Sequence, residues 1–272
     1  MSTKLSAPPT RARVDFAHNL FVKGTNFLDL ELMNRVFPST CNPVRHIKLP
    51  FSEDELSSAR ERKEALVLYP AMTMQGVVDA LGNELSDGGK LLYDPTGWYK
   101  EELLFTEELI VPEPTYKLVS IEPIPGSVSA NYLKQTEAIV NYLIGQVYKD
   151  KELPAPYQAA VDEFNARNKD ELATLMGTDW QVAAEQLANL QVNQMFRETP
   201  GEVICRIALY ESVNHQRLLE NMYTWTKSRS SDGCLVDVGG ADRRGANVRG
   251  GGPGVSFSHL GVCFSRSGLL EN

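Results

Sequence analysis

Cys234-Leu235-Val236-Asp237-Val238-Gly239-Gly240-Ala241-Asp242-Arg243-Arg244-Gly245-Ala246-Asn247-Val248-Arg249-Gly250-Gly251-Gly252 is the stretch on which the architecture turns. It opens with a short apolar run, 234–238, and dissolves into glycine; two more short runs, 254–257 and 260–264, follow. Apolar runs of this length bounded by glycine read as strands joined by glycine-rich loops. The region is set apart by composition: 10 of the 20 glycines fall within 233–268, and no lysine follows Lys227. Its charges are Arg229, Arg243, Arg244, Arg249 and Arg266 against Asp232, Asp237, Asp242 and Glu271, so the tail is near +1 in a chain of net charge -8.

Upstream the pattern is mainly helical. Thr199-Pro200-Gly201-Glu202 combines a Thr N-cap, Pro at the first helical position and Glu at the third. Behind it Val203, Ile204, Ile207, Ala208, Val213, Leu218, Leu219 and Met222 predict a long, half-buried helix over 200–222. Thr178-Asp179-Trp180-Gln181 has capping-box form and starts a helix to about 196, preceded by helices over 131–149 and 157–176, the latter ended by Gly177. Residues 65–69 and 116–121 read as strands, and Met74, Val77, Val78 and Leu81 give 72–85 helical spacing. Before that, Pro8, Pro9, Pro38, Pro43 and Pro50 interrupt every periodic run. The organisation expected is an irregular N-terminal arm over 1–63, a mixed, mainly helical scaffold over 64–228, and a glycine-rich segment over 229–272.

The 272 residues, 42% hydrophobic and 23% charged, have the balance of a folded protein and exclude a disordered chain, a collagen and a disulfide-stapled mini-protein. A net charge of -8 argues against a chain whose main task is gripping phosphate backbones, so nucleic acid is not the expected partner. No stretch approaches the roughly 20 apolar residues of a membrane span. The first residues carry no apolar run behind their charges, so the default expectation is a cytoplasmic protein, with surface display by another route left open. Cys41, Cys205, Cys234 and Cys263 lie far apart and read as reduced thiols rather than a zinc ribbon or redox pair.

Candidate chemistry is sparse. The 243–252 run offers arginines and free backbone N–H groups to an anion or a nucleic acid, but no Lys-Ser/Thr helix start follows the glycines, as a P-loop needs. Cys234, His259 and Cys263 meet around zinc only if a turn intervenes, since four residues of strand span about 13 Å. Asp232, Asp237 and Asp242 lack the dense carboxylate set that calcium takes. His215 has only Cys205 and Ser212 as local nucleophiles, and a solvated or capped helical histidine is the plainer reading. No catalytic residue, cofactor or metal is expected.

One set of residues is spread along the chain: the 66–73 run Leu-Val-Leu-Tyr-Pro-Ala-Met-Thr, Trp98-Tyr99, the 116–121 strand with Ile124-Pro125-Gly126-Ser127 and Asn131-Tyr132, the 216–221 run Gln-Arg-Leu-Leu-Glu-Asn, and, in the tail, Val238-Gly239, Asp242, Gly245, Val248, Leu260-Gly261 and Arg266. By these, from about Leu66 to Arg266, the chain resembles a group of bacterial proteins from candidate phyla whose C-termini are similar to the variable proteins of diversity-generating retroelements. Gly251 stands where the group usually has tryptophan and Ser256 where it has arginine.

The resemblance implies an α+β protein: a mostly helical scaffold carrying a C-terminal C-type-lectin-like β module, the fold shared with the formylglycine-generating enzyme. It implies fixed glycine and apolar positions under a changeable outer set: Gly240, Arg243, Arg244, Asn247, Arg249, Gly251, Gly252, Pro253, Ser256, Phe257, Ser258 and His259. Phe257, His259 and the arginines would anchor a ligand, expected to be a protein or another macromolecule. The competing readings are anion or nucleic-acid binding through the Arg/Gly-rich tail, and a lectin-fold oxidase-like enzyme built on Cys234 and Cys263.

Overall fold

The computed structural model describes residues 10–38, 47–94 and 97–269. The fold is mixed α+β, 44% helical and 19% strand. In chain order the elements are α1 (Thr10–Leu20), β1 (Phe27–Leu28), α2 (Leu30–Val36), α3 (Glu53–Glu61), β2 (Glu64–Tyr69), α4 (Met74–Leu81), α5 (Leu103–Thr106) and β3 (Thr115–Ser120). Helices α6 (Tyr132–Tyr142), α7 (Ala155–Ala166), α8 (Lys169–Thr178), α9 (Trp180–Ala188), α10 (Gln191–Phe196) and α11 (Pro200–Asn214) follow. The chain ends with β4 (Tyr223–Arg229), β5 (Leu235–Asp242), β6 (Gly245–Gly251), β7 (Leu260–Gly261) and β8 (Ser265–Ser267).

The strands form two four-stranded sheets, of order β1-β2-β3-β8 and β6-β5-β4-β7. The second sheet is a partition between two cores. On one side Val236, Val238, Ala246 and Val248 join the first sheet, α1 to α4 and α11; on the other Trp225, Leu235 and Leu260 join the helical layer α6 to α10. Strand alternation does the sorting, since successive side chains point to opposite faces. It continues past β7, where Cys263 enters the first core while Val262 and Phe264 enter the second. The glycine-rich tail is therefore not set apart: β8 leaves the second sheet and pairs with β3 of the first (Leu118 opposite Arg266). The composition boundary at 229 falls on the last residue of β4.

Several expectations are corrected. The prolines predict an irregular arm over 1–63, yet its described part folds into α1, β1, α2 and α3, with Phe21, Phe27, Leu32, Met33 and Phe37 in the first core. These helices are short and weakly periodic, and caps start them: Asp29 accepts from Leu32 N–H, and Ser52 with Glu55 forms a full capping box. Gly177 lies inside α8, and Asp179, not Thr178, caps α9. The helix expected over 200–222 stops at Asn214, where His215 takes a left-handed C-cap conformation, and it is buried nearly all round rather than on one face. The 254–257 run is not a strand: Gly254 lies in a turn closed by Val255 N–H donating to Gly252 O, and 255–257 continue as irregular chain. Cys41, Pro8, Pro9 and Pro43 lie outside the described residues.

The caps that the sequence announces are present: Thr199 and Glu202 exchange hydrogen bonds of 3.1 and 2.7 Å at the start of α11. Just before it, Glu198 receives two hydrogen bonds from Arg206, at 2.9 and 2.7 Å, both side chains being 1% exposed. In the helical core Arg197 lies 3.7 Å from the centre of the Tyr132 ring, and burial pushes its pKa down to about 10. Among the described residues no helix is long and apolar enough to cross a membrane.

Because removing one member of a buried pair strands the other's charge, Glu198→Ala is expected to cost about 3–5 kcal/mol. A Glu198→Leu/Arg206→Met double variant should regain much of that loss in denaturant melts. Equal losses in both would show that the pair is not the source of the stability.

Candidate functional site

The second sheet's outward face is only half covered. Directly opposed residues share a face, so the register Trp225–Asp237–Arg249 and Tyr223–Gly239–Asn247 puts all six positions on the side away from the valines. Toward the 229 end of β4, α9 and α6 lie over this face: Trp225 is 1% exposed and meets Tyr132 edge-on at 5.8 Å. Toward the 223 end the helices stop, and Tyr223, Asn247 and Arg249 are half-buried.

There the side chains stack on one another. The Arg249 guanidinium lies 3.5 Å from the centre of the Tyr223 ring and 5.9 Å from that of Phe257. Its Nε donates to Asp237 Oδ1 at 2.9 Å, which fixes the plane of the fork. Phe257 and His259 stack at 5.6 Å with 4° between planes, and His259 closes on Tyr223 at 5.4 Å. Phe257 keeps 48% of its surface exposed. Burial pushes the Asp237 carboxyl up to about 6, against the pull of Arg249. An exposed aromatic ring beside a held guanidinium is the composition of a contact surface.

The β5–β6 hairpin tip, Arg243-Arg244, is a second group. Lys90 N–H donates to Arg243 O at 3.0 Å, and Arg217 Nη1 donates to both Lys90 O and Asp242 O, at 2.7 and 2.6 Å. Arg217, only 4% exposed in its side chain, also forms a bidentate pair with Asp87, whose pKa it lowers to about 2. Glu211 on α11 accepts from Ser86 N–H, Ser86 O–H and Asp87 N–H.

The expected outer set divides accordingly. Arg243, Arg244, Ser256, Phe257 and Ser258 are exposed; Gly240, Asn247, Arg249, Gly251, Gly252 and His259 are half-buried. Pro253 is a correction: it is buried, its carbonyl accepting Tyr132 N–H at 3.0 Å, because it caps the join between the tail and α6. Gly251 is close-packed by Trp225, whose ring would stand 3.2 Å from a Cβ there. Beneath this set Val238, Gly239, Gly245, Val248, Leu260, Gly261 and Arg266 are buried. Gly245 has φ 115°, and a Cβ on it would overlap the Leu92–Tyr93 peptide. Gly239 is equally crowded, with Met222 O in the place of a Cβ.

Two contributors lay beyond the expected set. Tyr223 precedes the glycine-rich segment, and Trp180, 37% exposed, stands over Gly252 from α9. The alternating 223–229 run Tyr-Thr-Trp-Thr-Lys-Ser-Arg carries a strand signal that could have found the first; nothing local marks the second. His215 does not meet Cys205 or Ser212; its Nδ1 lies 3.1 Å from Ser86 Oγ, and Ser212 donates to Leu209 O. Cys234 sits beside Asp232 and Cys263 against Thr224, at opposite ends of β4. Burial raises both thiols, Cys263 to about 11. Among the described residues no group of three or more His, Cys, Asp or Glu side chains is placed to hold a metal ion. Compared with protein-family models, curated proteins and solved structures, the chain matches none.

The crowding at Gly245 predicts that Gly245→Ala costs more than about 2 kcal/mol, whereas Gly254→Ala, with open space around it, leaves the melting temperature unchanged. Asp237 holds its proton to about 6 in the folded chain against an ordinary 3.8, so between these values the unfolded chain binds fewer protons. Its contribution to stability therefore falls as pH rises through that window and stays low above it. Asp237→Asn should remove that fall in a pH series of melts; an unchanged slope would refute the assignment.

Proposed function

We propose that this chain is a ligand-binding protein that presents a changeable surface on a rigid sheet, in the manner of the variable proteins of diversity-generating retroelements, with a C-type-lectin-like arrangement of its C-terminal strands. One observation carries the reading: on β5 and β6 Val238, Gly239, Gly245 and Val248 are buried and closely packed, while Asn247 and Arg249 face outward beside Phe257 and His259. Substitution at such outward positions alters what is contacted without reaching the core. The aromatic rings and arginines supply contact energy, and the hydrogen-bonded strands beneath hold them still, which lowers the entropy lost on binding. A macromolecular partner, most simply a protein, suits a surface this open.

The oxidase-like alternative is disfavoured by the placement of the thiols: Cys234 beside Asp232 and Cys263 against Thr224 lie at opposite ends of β4, too far apart to share one site.

Sequencing the gene across a natural population tests the reading. Substitutions should gather at codons 243, 244, 247, 249 and 256–259, with Val238, Gly239, Gly245, Leu260 and Gly261 constant. Codon 253 should also be constant, because Pro253 is buried. An even spread of substitutions along the chain would overturn it.

A further inference from the structure

The hairpin tip carries a charge imbalance that the aromatic cluster on the open sheet face does not use. A cleft of about 500 Å3 lies between Arg243-Arg244 and the opposing strip that contains Gly88, Gly89, Lys90 and Tyr93. Three carboxylates stand around it, and each is taken. Asp87 pairs with Arg217 at 2.8 Å, Asp94 with Lys100 at 2.6 Å, and Asp242 with Arg244 at 2.7 Å. Lys90 and Arg243 are left over: among the described residues neither has a carboxylate oxygen within 4.0 Å. Arg243 spends one Nη2 hydrogen bond, of 2.8 Å, on Asp87 O, which aims the guanidinium across the cleft and leaves its other donors free.

The cleft is also built before any ligand arrives. Arg217 clamps the two sides together through Lys90 O and Asp242 O, and Glu211 holds the 86–87 backbone from the buried helix α11. Gly89 is required by this clamp, since a Cβ there would strike both the Arg217 guanidinium and Arg243 O. Two cations without an ion-paired carboxylate among the described residues, on a fixed frame, match a ligand with two negative charges on one centre. A carboxylate or a phosphodiester offers one; a phosphate monoester offers nearly two above its second pKa of about 6. The Tyr93 ring, with the Arg244 guanidinium 5.5 Å from its centre, gives a flat wall for the group that bears the phosphate.

We propose that the cleft between the β5–β6 tip and residues 88–94 binds a phosphate monoester, with Lys90 and Arg243 on the phosphate and Tyr93 against the ester group. This deepens the binding-surface reading by naming the ligand chemistry of the tip in this chain. It rests on that reading only in treating the tip as a binding surface, and a failure to bind phosphate would leave the distribution of natural substitutions untouched.

Calorimetric titration of the full chain with phenyl phosphate, phenyl sulfate, inorganic phosphate and a single-stranded oligonucleotide tests it. Phenyl phosphate should bind, tighten as pH rises from about 5 to 7.5 with the second ionisation, and weaken with added salt. Losing either charge-assisted contact, in Lys90→Gln or Arg243→Gln, should weaken it about tenfold, while Lys134→Gln, a charge removed from the distant exposed face of α6, should not. Phenyl sulfate should bind more weakly for want of the second charge, and inorganic phosphate more weakly for want of the ring. Melting temperatures of the two variants within a few degrees of the parent separate lost binding from lost folding; should Arg243→Gln melt early, Lys90→Gln carries the test alone. No saturable binding at millimolar phenyl phosphate, equal affinity in Lys90→Gln, or tighter binding of the oligonucleotide would each overturn the proposal.

Discussion

A helix buried on every side has nowhere to send its charges but inward, and α11 meets this constraint through Glu198. That one residue joins the three bodies of the fold. Its carboxylate takes two hydrogen bonds from Arg206 on α11 and one of 2.9 Å from the Tyr69 hydroxyl on the first sheet. Its backbone carbonyl accepts Lys227 N–H, at 3.0 Å, from the second sheet. Lys117 of β3 reaches Glu202 at 2.5 Å one turn along, so the start of α11 is bound to the first sheet by charge and to the second by a backbone hydrogen bond. A buried pair of this kind contributes little beyond what an apolar pair would, because desolvation offsets the Coulomb gain. What it supplies is position: an ion pair with fixed forks tolerates one arrangement of its partners, whereas leucines would tolerate several.

That arrangement decides what is left open. With the second sheet held against α11 by Val236, Val238 and Val248, its other face must be covered by something, and the helical layer covers only the half around Trp225 and Leu235. The other half keeps its half-buried polar and aromatic residues, which satisfy each other: Arg249 is stacked on Tyr223 and bonded to Asp237, and Phe257 rests on His259. The same helix holds the 86–87 backbone opposite the hairpin tip through Glu211, and Arg217, just beyond its end, bonds Asp242 O beside the tip. Both candidate contact surfaces are thus supported from beneath by one element, which is why they are rigid although they consist of a loop and a sheet edge.

Much of this could be read locally. The cap at Thr199, the strands at 64–69 and 115–120, and the short apolar run at 234–238 that opens β5 are signals whose cause lies within a few residues, a hydrogen bond or a period of two. The outer set along 240–259 came from the resemblance alone, and Pro253 departs from it because its burial depends on α6, more than a hundred residues away. The short helices of the N-terminal region were illegible for the opposite reason. Their own propensities are weak, and what holds them is a core assembled from β2, β3 and α11.

The sequence by itself determined the start of α11 at Thr199 and the strands β2, β3 and β5, because caps and periodicity are local physics, whereas the end of α11 at Asn214 and its burial on every side were not contained in it. Only the tertiary structure decided which faces remain uncovered, that Tyr223 and Trp180 stand beside the tail's own residues, and that, among the described residues, Lys90 and Arg243 have no ion-paired carboxylate while Asp87, Asp94 and Asp242 each pair with another cation. Coverage and charge balance are sums over segments distant in sequence, among them Asp87 with Arg217 and Tyr223 with Arg249, and no local pattern contains them.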